Sequence, residues 1–498
     1  MNATPVDFSD VQGLLRFGYS KLTESCFFLL KIRNPAAARA WLAAAPVTNA
    51  VMLADAPATA LQVAFTCEGL QALDVPQSVL AGFSAEFLSG MAGEDNRSRR
   101  LGDLGASAPE YWQWGNASSV PHVLLMLYAR AGRLEGWKQT IQGANWNAAF
   151  DVLDCLLTSN LCDVEPFGFA DGISQPALDW ERKRTPPKDQ LSYTNLLALG
   201  EFVLGYPNEY GKYTDRPLLA ADDPSATVLP GAEDAPGQRD LGRNGAYVVF
   251  RQLQQDVRGF WRYLDQQTNS DPQARQSLGE AMVGRHMNGE PLVALEDQTI
   301  DGIDPDSTPH NQFTYDDDTA GLRCPFGAHI RRANPRNADL PPGSSDPVSE
   351  LVHALGFGAT KYRDDIMAST RFHRILRRGR EYGPGLSPEQ AVQADFPDPG
   401  EHGIYFICLS ANISRQFEFV QNAWIMSTKF DGMTEESDPL LGNRLPVAGC
   451  PFADTFSQPR AGGLRTRLMG LPQFITVRGG AYFFLPSLSA LRYLAGLR

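Results

Sequence analysis

The sequence predicts an α+β protein built from two ferredoxin-like units, each an antiparallel sheet with helices packed on one face. An internal echo is the first reason. "SCFFLLKIRNPAAARAWLAAAP" (25–46) is an apolar, strand-like run followed by a proline near a helix start and an alanine-rich amphipathic segment. "GAYVVFRQLQQDVRGFWRYLDQQ" (245–267) repeats that order. Further strand-like runs are the second reason: "LQVAFT" (61–66) and "HVLLMLYA" (122–129) follow the first opening, "GIYFICLS" (403–410) and "AYFFLPSL" (481–488) the second. Strands separated by helices and by antiparallel-length connections suit a sheet with its helices on one side. The echo divides the chain into an N-terminal unit over 1–244 and a C-terminal unit over 245–498. A stretch rich in Pro, Gly and Asp, from about 180 to 244, reads as a long connection over the junction. A second irregular insert, "NPRNADLPPGSSDPVSE" (334–350), interrupts the second unit.

Composition narrows the function. With 498 residues, 43% of them hydrophobic and 20% charged, the chain has enough apolar material for a large core. A net charge of −13 argues against nucleic acid as a partner, and the longest basic run, "RILRRGR" (374–380), does not reverse that. The opening "MNATPVDFSDVQGLLRFGYSK" has no basic region followed by a continuous apolar stretch, and no later segment reaches the ~20 apolar residues that span a bilayer. A cytoplasmic protein without membrane contact is expected. The seven cysteines, at 26, 67, 155, 162, 324, 408 and 450, stand singly with no zinc-type spacing, which fits free thiols in a reducing compartment.

Two stretches carry chemistry. In "PFGFADGISQP" (166–176), glycines flank Asp171 and prolines close both ends, so a stiffened loop aims one acid. The same Asp-Gly pair also reads as an ordinary turn. The histidines, at 122, 286, 310, 329, 353, 373 and 402, include no i, i+4 metal pair. His310 lies in the polar "DSTPHNQFTYDDD", where a solvated imidazole is expected. His329 lies in "RCPFGAHIRRANPR" (323–336), after an apolar approach and before Arg331, Arg332 and Arg336. One imidazole beside several guanidiniums suits an axial iron ligand next to anionic carboxylates, and equally a core histidine near a basic turn.

"FGFADGISQP", "GLRCPFGAHIRRANPR", "RILRRGREYGPG", "GIYFICLSANISRQFEFVQNAW" and "VRGGAYFFLPSLSAL" together resemble the DyP-type (dye-decolourising) haem peroxidase family. With "DVQGLLRFGY" at the start, the blocks run in family order over nearly the whole chain. The resemblance implies two ferredoxin-like domains, with one haem b per chain held mainly by the C-terminal one. His329 is then the proximal iron ligand, Asp171 the distal acid and Arg377 the distal arginine, with the neighbouring Arg378 as the competing register. Ile404 and Phe406 form the apolar wall of the peroxide pocket, which their alternation on one strand permits. Asp438 is the expected acceptor for the proximal imidazole and Arg331 the expected propionate contact. Trp424 and Tyr405 are candidate electron relays, each also readable as a core aromatic.

The implied activity is reduction of hydrogen peroxide through a ferryl state, with one-electron oxidation of dyes or phenols. Such chemistry needs a group that moves a proton between the peroxide oxygens and a cation beside the departing one, tasks for Asp171 and Arg377. The rival from another class is a non-catalytic protein that binds or hands on haem, with a metal-dependent hydrolase more distant. The natural reductant and any homo-oligomer are left open.

Overall fold

The structure, a computed structural model, describes residues 5–183, 194–293, 309–336, 370–397, 399–446 and 451–497. His353, Cys450 and most of the 334–350 insert lie outside them. The first echo segment forms strand β1 (Glu24–Ile32) and helix α1 (Pro35–Ala44). Pro35 opens the helix where its missing N–H costs nothing, and the Asn34 side chain accepts the Ala37 N–H as a cap. Strands β2 (Thr59–Phe65) and β3 (Val123–Ala129), helix α2 (Leu134–Gln142) and strand β4 (Phe150–Leu157) follow. All neighbours pair antiparallel in the order β2-β3-β1-β4.

The second half repeats the plan. It comprises β5 (Ala246–Gln255), α3 (Val257–Gln267), α4 (Pro272–Val283), α5 (His329–Ala333), two short strands β6 (Leu376–Arg377) and β7 (Arg380–Tyr382), then β8 (Gly403–Ser410), β9 (Ile475–Leu485) and α6 (Leu488–Ala495). The order β9-β5-β8 with β6 and β7 on the far side of β8 is again antiparallel throughout. With the first, second, third and fourth strands of each half numbered in turn, both sheets read 4-1-3-2, the ferredoxin-like order. The halves join edge to edge through a single pair, Phe65 opposite Phe484.

The sheets then curl so that their inner faces meet. Phe27 of β1 lies 5.6 Å from Phe250 of β5 and 5.8 Å from Tyr405 of β8, ring centre to ring centre. Leu29, Tyr128, Val248, Ile407 and Phe483 fill the same core. Each such side chain contributes about 1.5–3 kcal/mol by leaving water. Helices take the outer faces, as expected: Trp41 of α1 packs with Trp146 and Phe150, and Phe260 and Trp261 of α3 pack with Phe167 and Phe169. Two boundaries differ from the sequence reading. "AYFFLPSL" is not one strand, because Pro486 has no N–H for the ladder and Ser487 caps α6 by accepting the Ala490 N–H. The edge strand β4, "FDVLDCLL", was not expected; its acidic residues break the apolar run and Val152, Leu153 and Leu157 stay exposed.

Candidate active site

A cavity of about 230 Å³ opens on the outer face of the second sheet. Leu253 and Gln255 of β5, Ile404 and Phe406 of β8 and Ile475 of β9 form its sheet wall, and α5 closes another side. The segment from Glu165 to Ser174 crosses over from the first half. Ile404 and Phe406 therefore share one strand face, while Tyr405 between them points into the core and stacks on Tyr382 at 4.5 Å. Trp424 is also buried, in contact with His373 and Phe419.

His329 opens α5 and lines the cavity. Its Nδ1 meets Oδ2 of Asp438 at 2.9 Å, and Asp438 is fully buried. The other carboxylate oxygen accepts the N–H groups of Leu440 and Leu441 at 2.9 and 2.8 Å. Burial pushes the Asp438 carboxyl up, but His329, Arg332 and the Leu441 N–H outweigh it and hold the group below the usual carboxylate range. An ionised Asp438 accepts a hydrogen bond from the Nδ1–H of a neutral ring and leaves the Nε2 lone pair for a ligand bond.

Asp171 faces the same cavity from the glycine loop. Gly168 and Gly172 both take positive φ, +99° and +79°, and a Cβ on Gly168 would also stand 3.1 Å from the Met287 side chain. The Asp171 Oδ1 accepts from Arg377 Nη1 at 2.9 Å. Arg377 sits on β6 opposite Cys408, and its backbone N–H donates to Gln175 Oε1 at 2.9 Å, so the same loop fixes both partners. Burial pushes the Asp171 carboxyl up; the Arg377 guanidinium and the Gly172 N–H outweigh it and bring it below its ordinary value. Asp171 keeps 45% of its side-chain surface accessible and Arg377 28%. Arg378 lines no part of the cavity: its guanidinium donates to the carbonyls of Leu14 and Arg377.

Arg331, the expected propionate contact, is not among the residues that line the cavity. Its guanidinium is buried, pairs with Asp318 at 3.0 Å, donates to the Cys324 carbonyl and stacks on Tyr315 and Phe326, away from the cavity lining. Arg285 lines the cavity instead. It is buried, it donates to Gly289 O, His310 O and Ser174 Oγ, and it has no carboxylate partner among the described residues. Burial and the nearby Arg336 lower it to about 10. On the same wall the two polar side-chain atoms of half-buried Asn334 are buried and have no hydrogen-bond partner among the described residues. An apolar cavity with a spare imidazole nitrogen, a buried guanidinium lacking a counter-anion and an unsatisfied amide fits an iron porphyrin with two carboxylates.

No family model matches the sequence. Curated relatives do: dye-decolorizing peroxidase msp1 of Mycetinis scorodonius is 29% identical over 98% of this chain and 87% of its own length. Multifunctional dye peroxidase DyP2 of an Amycolatopsis species is 29% identical over 77% of this chain and 73% of its own. Among solved structures, a fungal DyP-type peroxidase from Auricularia auricula-judae superposes with a TM-score of 0.72 at 26% identity, covering 99% of this chain and 100% of that one. Over nearly its whole length the chain is similar to DyP-type peroxidases. The Anabaena DyP-type peroxidase, at 23% identity and a TM-score of 0.68, shares the fold over 98% of this chain.

Proposed function

We propose that this chain is a haem peroxidase that reduces hydrogen peroxide and oxidises dyes or phenols, with one haem b held between His329 and the Asp171–Arg377 pair. The observation that carries the reading is the cavity itself, with a histidine backed by a buried carboxylate on one side and a carboxylate paired to an arginine on the other. Haem, when bound, supplies the redox chemistry that takes up the oxidising power of peroxide and draws electrons one at a time from a reductant. His329 offers Nε2 to the iron and Asp438 orients it. Arg285 and Asn334 meet the propionates. Asp171 takes a proton from one peroxide oxygen and returns it to the departing one, which leaves as water, and Arg377 places a fixed positive charge beside that departure. Ile404 and Phe406 keep the reacting region dry.

The proposal divides the chain at 244/245, just before β5. It places the protein in the cytoplasm, supported by six described cysteines that are all free. Among the described residues no helix is long and apolar enough to cross a membrane. The test is a haem titration followed by stopped-flow mixing with peroxide and a dye: the expected results are a Soret band and dye bleaching that requires peroxide. Haem binding without dye oxidation would leave only the haem-carrier reading.

A further inference from the structure

Among the described residues that line the cavity, the only carboxylate besides Asp171 is Glu165. Nearly every polar atom of this residue is spent on the loop that leads to Asp171. Its carbonyl accepts the Gly168 N–H at 2.8 Å and its own N–H donates to Phe169 O at 2.9 Å. Its carboxylate bridges the same turn, taking the Phe167 N–H on Oε2 and the Phe169 N–H on Oε1, both at 3.0 Å. Gln255 Nε2, on β5, donates to Oε2 at 2.7 Å and ties the turn to the sheet. Phe167 and Phe169 meanwhile pack on Phe260 and Trp261 of α3. Burial pushes the Glu165 carboxyl up to about 7 against the Phe169, Gln255 and Phe167 hydrogen bonds. A carboxylate at an apolar cavity wall is costly, and among the described residues these three donors offset it.

We infer that Glu165 is a positioning residue: its carboxylate locks the 165–169 turn onto β5 and thereby fixes where Asp171 stands opposite Arg377. The inference rests on the reading of Asp171 as the proton-moving group. Glu165→Gln puts an NH₂ where one backbone N–H now donates, so the turn loosens. A displacement on the order of 1 Å costs up to ~100-fold in a positioned reaction, so the haem-loaded variant is expected to react with peroxide at least about tenfold more slowly. In the Asp171→Asn background the same change adds no further loss, because Glu165 works through Asp171. Glu165→Asp, which keeps the charge, recovers part of the rate. Hydrogen exchange of the holoenzyme is expected to speed up in the 163–177 segment alone. If Glu165→Gln does not fold, Gln255→Leu removes the bond that ties the turn to the sheet and carries the same cycle with a smaller loss. A Glu165→Gln enzyme as fast as the parent, an equal loss in both backgrounds, or unchanged exchange in the loop would overturn the positioning role. Asp171→Asn as fast as the parent would overturn the proton role and this inference with it; a slow Asp171→Asn beside an unimpaired Glu165→Gln would overturn this one alone.

Discussion

Asp438 meets the His329 ring at 2.9 Å on one side of the cavity, and Asp171 meets the Arg377 guanidinium at 2.9 Å on the other. The distances are equal and the surroundings are not. Asp438 is fully buried with two backbone N–H groups on its second oxygen, whereas Asp171 keeps 45% of its side-chain surface open. A carboxylate sealed by fixed donors holds its partner in one orientation; a carboxylate with one guanidinium and an open flank has room to exchange a proton with a small molecule. On the proposed function, access rather than pairing distance separates a holding acid from a working one.

The comparison breaks most visibly at His329. His329→Ala is expected to lose haem on gel filtration with added haem, while His310→Ala retains it; an ordinary axial-imidazole spectrum from the His329 variant would refute the ligand assignment. Next come the distal groups. Arg377→Leu and Asp171→Asn are each expected to slow the peroxide reaction by about 100- to 1,000-fold with the haem spectrum near normal, and the double variant to be little worse than the poorer single. Arg378→Leu is the control, since its guanidinium serves the Leu14 carbonyl; a slow Arg378 variant beside a fast Arg377 variant would move the distal site by one residue. On the holding side, Asp438→Asn is expected to keep haem but to release it to a haem acceptor about 10- to 100-fold faster, as for other partners of metal-bound histidines. The smallest effect is on pH. The folded carboxyl of Asp171 lies below its ordinary value of about 3.9, so its basic form survives into acid, and peroxide turnover is expected to persist on the acid side of neutral. The stabilising pair with Arg377 is complete above that ordinary value and is lost as pH falls through the lower folded one. Rate constants measured against pH check this: the acid limb belongs to Asp171 only if Asp171→Asn abolishes it.

Strands buried on both faces were legible because burial leaves its mark as near-continuous apolar runs, as in β1, β5 and β8. Asp171 was legible because its neighbours Gly168 and Gly172 need backbone conformations that other residues avoid. The arginines near His329 were not. Nothing local in "HIRRANPR" tells which guanidinium will find Asp318, and Arg331 took it, leaving Arg285 from "VGRHMNGEP" to face the cavity. Glu165 was hidden in another way, since its partners are the backbone amides two and four residues ahead. A glutamate just before a Pro-Phe-Gly-Phe turn is the trace that reading for turn-closing acceptors would have caught.

The first half of the chain is finished by residues from the far end of the sequence. Asp10 accepts the Leu488 N–H on its carbonyl and the Ser489 N–H on Oδ1, and Gln12 Nε2 donates to the Pro486 carbonyl across 474 residues. On a ribosome adding roughly 5–20 residues per second, about half a minute to a minute and a half separates the making of those partners. Until then those positions lack these partners, while Gln12 bonds both backbone groups of Val63 and Asp10 Oδ2 accepts from Asn244. The first half is therefore closed around Asp10 and Gln12 by contacts that form only once β9 and the start of α6 exist.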